Sequence, residues 1–159
     1  MTFAAVKTEP RVAIFQGRCL SAREGYASQE RAMADSITML IVDDQHDFCD
    51  LLREMLLDSR FQIIGEAHDG VEAMSTLDQS QPDLILVDVE MPRIDGLRLT
   101  RQVLARFPKT PVVLMSAYHE SEYVQQARRT GALDFIPKGE MSPGRLLEAW
   151  RKREGGSSR

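Results

Sequence analysis

Leu84-Ile85-Leu86-Val87-Asp88 is four apolar residues closed by a carboxylate. A continuous apolar run of this length, bounded by turn residues, fits a strand buried on both faces. The pattern recurs along the chain. Met39-Leu40-Ile41-Val42 runs into Asp43-Asp44, Val112-Val113-Leu114-Met115 into Ser116, and the shorter Phe135-Ile136-Pro137 into Lys138. Four apolar tails with polar heads at the same end predict parallel strands that deliver side chains to a common rim. In open α/β sheets ligands bind at that rim, beyond the carboxyl ends of the strands. Three carboxylates, a hydroxyl and an ammonium gathered there make a site for a metal ion and a phosphoryl group.

Between these runs the pattern changes period. After strand one (Ile37 to Val42), Phe48, Leu51, Leu52, Met55 and Leu56 fall at i, i+3, i+4, i+7 and i+8, one face of a helix. Phe61 to Ala67 reads as strand two, nearer an edge because Gln62 and Glu66 interrupt it. Asp69-Gly70 opens a second helix carrying Val71, Met74 and Leu77, and Pro82 closes the link to strand three, Leu84 to Asp88. Gly96 to Phe107 is helix three, stopped by Pro108. Strand four runs from Pro111 to Ser116, the proline tolerated at its first position. Helix four runs from about Glu120 to Thr130, and Gly131 suits a left-handed cap. Strand five is Leu133 to Pro137. Ser142-Pro143 supplies an N-cap with proline at the first helical position, opening helix five through Leu146, Leu147 and Trp150 to about Arg153. Five βα units with short links predict a five-stranded parallel sheet, doubly wound with five helices.

Composition sets the frame. A chain of 159 residues with 43% hydrophobic and 28% charged residues fits one ordinary α/β domain. The net charge of -4 and the lack of a Lys/Arg block argue against direct nucleic-acid binding. No apolar stretch approaches the roughly 20 residues of a membrane span, and the first residues lack the basic and apolar regions of a signal peptide. Cys19 and Cys49 form no metal-binding or redox spacing and read as reduced thiols of a cytoplasmic protein. Residues 1–36 show little periodicity beyond Arg11-Val12-Ala13-Ile14-Phe15. They read as a flexible extension, or a misassigned start with Met33 as the true one, ahead of a domain over 37–153; a partner-binding arm is the alternative. Residues 154–159 read as a flexible tail.

Taken singly, an Asp pair after a strand is often only a helix cap and a solvated turn, and a lone Ser or Lys says less. It is the joint order Asp-Asp, Asp, Ser, Lys, each at a strand end, that carries chemistry. Carboxylates about 5 Å apart repel by roughly 3 kcal/mol even at an effective dielectric of 20. Such a cluster needs a cation, and oxygen-only ligands without His or Cys point to Mg²⁺. Lys138 can neutralise one phosphoryl oxygen and Ser116 can hydrogen-bond another. A carboxylate is a competent nucleophile toward phosphorus, and positioning with charge neutralisation supplies most of the catalysis. His46, His68 and His119 have no mutual ligand spacing and read as solvent-facing.

The motifs Val42-Asp43-Asp44, Asp88-Val89-Glu90-Met91-Pro92-Arg93-Ile94-Asp95-Gly96, Ser116-Ala117 and Phe135-Ile136-Pro137-Lys138 resemble those of the receiver domain of two-component response regulators, over roughly residues 37 to 153. The resemblance implies a flavodoxin-like fold with strand order 2-1-3-4-5, which makes strands one and three neighbours and brings Asp43 and Asp44 close to Asp88. It also implies that Asp88 is the phosphoacceptor and that Asp43, Asp44, Asp88 and the backbone carbonyl of Glu90 hold Mg²⁺. Lys138 and Ser116 would then bind phosphoryl oxygens, with Ser116 and Phe135 moving together as a switch. The implied partners are a histidine kinase or phosphotransfer protein, for which the first helix around Phe48, Asp50 and Arg53 is a candidate surface. A downstream protein, or a second copy in a phosphorylation-dependent homodimer, would use the helix 4/strand 5/helix 5 face, with Tyr123, Arg128 and Trp150 as candidates.

Two features depart from the family's common pattern. Pro137 precedes the lysine and Gly139 follows it, where most receivers place proline after it. That junction is similar to receivers usually joined to a helix-turn-helix output domain, so the receiver half of a DNA-binding transcription regulator stands as an alternative to a stand-alone receiver. Tyr118 and Glu90 flank the path of a hydrolytic water in the family, which makes them tuning positions for hydrolysis. A rival of another class is an aspartate-nucleophile phosphohydrolase. It needs a second Asp two residues after the nucleophile, whereas Asp88 is followed by Val89-Glu90 and Asp44 by Gln45-His46. The expected role is therefore signalling rather than turnover.

Overall fold

The computed structural model describes residues 36–118 and 121–155, with the backbone alone at 121, 122, 154 and 155. The readings made for residues 1–35, including Cys19, Met33 and the run 11–15, and those for His119, Glu120 and the end of the tail lie outside the described residues.

Five parallel strands form one sheet in the order β2-β1-β3-β4-β5: β1 (Ile37–Val42), β2 (Phe61–Ala67), β3 (Leu84–Asp88), β4 (Val112–Ser116) and β5 (Asp134–Pro137). Five helices join them: α1 (His46–Leu56), α2 (Gly70–Gln79), α3 (Gly96–Arg106), α4 (Ser121–Thr130) and α5 (Pro143–Gly155), with one 3₁₀ turn over Lys138–Glu140. The expected fold class and strand order are those observed. Val42 is level with Val87, Asp88 with Met115, and Ser116 with Pro137. The carboxyl ends of β1, β3, β4 and β5 therefore line up, and the residues at and just beyond them share one rim.

Alternation along each strand divides the core in two. Met39, Ile41, Leu84, Leu86, Val113, Met115 and Ile136 point toward α1 and α5, where they meet Cys49, Leu52, Leu56, Leu146, Ala149 and Trp150. Leu40, Val42, Ile85, Val87, Leu114 and Phe135 point the other way, onto Ala73, Leu77, Leu97, Leu99, Val103 and Ala127 of the other three helices. The β1 and β3 side chains from Met39 to Val42 and Leu84 to Val87 are fully buried. Each large one contributes roughly 1.5–3 kcal/mol. β2 lies at the edge, as its interrupted pattern indicates.

Several details differ from the sequence reading. On α1 the inward stripe runs through Cys49, Leu52 and Leu56, and Leu51 is half exposed. On α2 the buried positions are Gly70, Ala73 and Leu77, leaving Val71 72% exposed. β4 begins at Val112 because Pro111 has no N–H to pair, although its carbonyl accepts a hydrogen bond from the Ile85 amide at 3.0 Å. β5 begins at Asp134. α3 ends at Arg106, and Phe107 (φ -124°, ψ 64°) has left the helix, as the residue before a proline must. Trp150 is a core residue rather than part of an outward face, with the Arg153 guanidinium 3.8 Å above its ring.

The helix starts are fixed by side chains. Asp69 accepts from the amides of Val71 and Glu72 at 2.8 Å, and Glu72 reaches back to the His68 amide. Asp95 accepts from the Arg98 amide, and Ser142 from that of Arg145. Gly131, at φ +89°, turns α4 toward β5. The Cys49 thiol, packed under α1, is pushed up to about 12 by burial, with the Glu66 and Asp43 carboxylates adding to the shift. It is an inert hydrophobe.

Asp134 fastens α5 to β5. Its Oδ2 accepts from Arg145 Nη1 at 2.8 Å and Lys152 Nζ at 2.7 Å, while Arg145 Nη2 donates to the Phe135 carbonyl at 3.3 Å. Burial works to raise the Asp134 carboxyl, but the hydrogen bonds from the two cations outweigh it and hold the group below the ordinary aspartate value. A depressed native value means stability that is present above the unfolded value and lost as pH falls through the native one. Asp134→Asn should lower unfolding stability by about 1 kcal/mol at pH 7, since Lys152 is half exposed. Urea titrations at pH 7 and pH 3 should show the difference shrinking toward zero at the lower pH; a pH-independent difference would contradict this origin.

Candidate functional site

The rim is built from the loops that leave β1, β3, β4 and β5. Asp43 and Asp88 are almost wholly buried, and Asp44 is partly so. One carboxylate oxygen from each of the three lies within 4.8 Å of the others. Lys138, with 9% of its side chain exposed, sets its ammonium 2.7 Å from Asp43 Oδ2 and 3.1 Å from Asp88 Oδ2. Gln45 adds its Oε1 at 3.3 Å from the same nitrogen, and its amide donates to Asp43 Oδ1 at 2.8 Å. The Glu90 amide donates to Asp88 Oδ1 at 3.2 Å.

Burial pushes the Asp88 carboxyl up to about 6; Lys138 opposes the shift, and the Asp43 carboxylate adds to it. For Lys138 burial works downward, but the close contact with Asp43 and the charges of Asp88 and Asp43 win, holding the ammonium above its ordinary value. One cation thus faces three carboxylates, and it does not satisfy them. Asp44 Oδ1 is buried without a hydrogen-bond partner, and Asp43 Oδ2 meets the ammonium only as an ion pair. Orphaned hard oxygens beside a carboxylate cluster fit a divalent cation that prefers oxygen and keeps some of its waters.

Asp43, Asp44, Asp88 and Lys138 are thus brought together. Ser116 stands on the same rim, fully buried, its Oγ accepting from the Tyr118 amide at 3.0 Å, which leaves the hydroxyl proton free to donate. Tyr118 is 56% exposed in the loop beyond β4. Glu90 is exposed in the loop beyond β3. Phe135 is buried against the α2–α3–α4 side, level with Leu114. In the loop from Asp88 to α3, Arg93 adopts φ 72°, a strained left-handed conformation for a side-chain-bearing residue.

The sequence reading missed three features of the rim. His46 is exposed, as expected, but its ring stacks on that of the partly buried His68 with centroids 4.1 Å apart, and His68 Nδ1 donates to the Asp43 carbonyl at 3.0 Å. Phe48 lies under Lys138, with the ammonium 4.5 Å from its ring centroid. Gly96 carries a steric demand: a Cβ there would sit 2.0 Å from the backbone oxygen of Asp88. Only the last left a signal, a glycine at fixed spacing from the aspartate.

Comparison with known proteins places this geometry. The family model described as response regulator receiver domain matches residues 39–151. The chemotaxis protein CheY of Listeria monocytogenes is 35% identical over 116 residues, which cover 73% of this chain and 97% of that protein. The transcriptional regulatory protein DegU of Brevibacillus brevis is 30% identical over 121 residues, 76% of this chain but 51% of DegU. Among solved structures, the receiver domain of the response regulator NarL from Mycobacterium tuberculosis superposes with a TM-score of 0.66 at 28% identity, over 77% of this chain and 98% of that one.

Gly96→Ala should destabilise the fold by about 2–3 kcal/mol, because the new methyl meets rigid main chain rather than a movable side chain. Urea unfolding reads this directly. An unchanged midpoint would show that the β3–α3 loop yields freely.

Proposed function

Because this chain belongs to the response regulator receiver domain family, we propose that Asp88 accepts a phosphoryl group from a phosphohistidine of a histidine kinase or phosphotransfer protein. The observation that carries the reading is the buried Asp88 carboxylate held 3.1 Å from Lys138, beside Asp44, whose Oδ1 is buried without a hydrogen-bond partner. With its ionisation near 6, Asp88 is mostly carboxylate at neutral pH. One of its oxygens forms the new P–O bond as the donor's P–N bond breaks, and the electron pair of that bond stays on the donor's imidazole nitrogen. Lys138 shifts its ammonium onto a phosphoryl oxygen, and the Ser116 hydroxyl donates to another. Asp43, Asp44, Asp88 and the Glu90 carbonyl would hold Mg²⁺, which supplies neutralisation of the charge on the phosphoryl oxygens.

Signalling then follows as a shift between two conformations of the rim and the face behind it. Ser116 and Phe135 are the moving parts. The Phe135 carbonyl is tied to α5 through Arg145, so displacement of β5 is felt on the α4–β5–α5 face. There a cavity of about 380 Å³, lined by Val124, Ala127, Phe135 and Arg145 among others, offers a surface for a downstream protein or a second copy. Exposed Arg128 borders it. The exposed surface of α1 presents Asp50 and Arg53, paired at 2.9 Å, to the donor. No helix among the described residues is long and apolar enough to cross a membrane, and a cytoplasmic receiver fits the chemistry. A second reading, the receiver half of a transcription regulator, is favoured by the likeness to the transcriptional regulatory protein DegU. An open reading frame continuing past Arg159 into a helix-turn-helix segment would establish it.

Incubation with Mg²⁺ and acetyl phosphate should give one phosphoryl adduct by intact mass. The adduct should be absent from Asp88→Asn and strongly reduced in Asp44→Asn or without the ion; absence from the parent chain with small donors and with kinases alike would sink the assignment. Tyr118, exposed next to the rim, is proposed to shield the acyl phosphate from water. Tyr118→Ala should shorten the phospho-Asp88 half-life by about threefold, a loss of roughly 0.7 kcal/mol in the barrier to hydrolysis. Equal half-lives would remove Tyr118 from the mechanism.

A further inference from the structure

We propose that Phe48 is a positioning residue for Lys138, holding its ammonium on the acceptor aspartate through the face of its ring. The inference rests on the phosphoacceptor reading of Asp88 and adds a group from α1 to it. Three observations carry it. The Phe48 centroid lies 4.5 Å from Lys138 Nζ, within the range in which a ring face attracts a cation. The ammonium's oxygen partners, Asp43, Asp88 and Gln45, all belong to the rim, so the ring covers its remaining side and keeps the charge out of water. Lys138 opens the 3₁₀ turn Lys138–Glu140, and the residue behind it, Gly139, has no side chain to brace it. With no bracing side chain behind it, the lysine is aimed from its tip.

The ring also has a use that the carboxylates cannot serve. When the phosphoryl group arrives, Lys138 must leave its ion pairs and follow the new oxygens. A π face attracts without a fixed hydrogen-bond direction, so the ammonium slides across it and stays desolvated during the transfer. A carboxylate in the place of Phe48 would hold the cation back, and an aliphatic side chain would leave it to water.

The test replaces Phe48 in the full chain with phenylalanines bearing one, two or three fluorines, which drain the ring face of negative potential while nearly keeping its shape. Phosphorylation of Asp88 by acetyl phosphate is followed so that kinase docking on α1 plays no part. The maximal rate should fall stepwise with fluorine number to about a tenth of the parent value, a tenfold change being about 1.4 kcal/mol. The apparent affinity for acetyl phosphate should change less, and the urea midpoint should stay constant along the series. Without any phosphoryl donor or metal, the Lys138 ε-methylene protons should carry an upfield ring-current shift that Phe48→Leu abolishes. A rate that is flat across the series, or one that falls only in step with the unfolding midpoint, overturns the proposal. A parent chain that forms no adduct overturns the phosphoacceptor reading instead, so the two failures are distinguishable.

Discussion

Everything at the rim depends on one unequal charge balance: a single buried ammonium facing three carboxylates whose oxygens lie within 4.8 Å of one another. Isolated buried charge is expensive, and carboxylates crowded in this way repel strongly. The fold tolerates the arrangement because the sheet beneath it is apolar on both faces and continuous from β2 to β5. Its strand ends are held level by pairing rather than by the side chains they carry. The unsatisfied oxygens that remain are what a cation and a phosphoryl group would complete. The site is thus built with a deficit of positive charge, and its chemistry is the filling of that deficit.

The parts legible in the sequence share a physical reason. Buried parallel strands must be apolar throughout, so β1, β3 and β4 announce themselves, and the polar residue ending each run falls on the rim by register alone. Asp43, Asp44, Asp88, Ser116 and Lys138 could be placed on one edge for that reason. Helix caps were legible too, since Asp69 and Ser142 sit where an exposed amide needs an acceptor. The helix faces were less so. A stripe of apolar residues on α1 allows more than one rotation, and the small Cys49 rather than Leu51 took the inward position.

Contacts between segments distant in sequence left no trace. Phe48 and Lys138 are brought together only where the start of α1 meets the turn beyond β5, and each has a bland local explanation: a helix's apolar stripe and a strand's polar end. The same holds for the stacked rings of His46 and His68, which start a helix and end a strand. Arg93 shows a third kind of illegibility. Its backbone is fixed by closing the loop over Asp88, with Gly96 N donating to the Val89 carbonyl at 2.9 Å, and nothing in the side chain asks for that conformation.

The negative potential that prepares the rim for a cation reaches beyond it, to a sulfur. Asp43 and Glu66 help to hold the Cys49 thiol protonated, adding to the effect of burial under α1. Oxidants act on thiolates, so burial first, with these carboxylates adding to it and Arg53 and Lys138 opposing, keeps this sulfur from reacting. The packing that supports the rim from beneath also keeps the thiol under it silent.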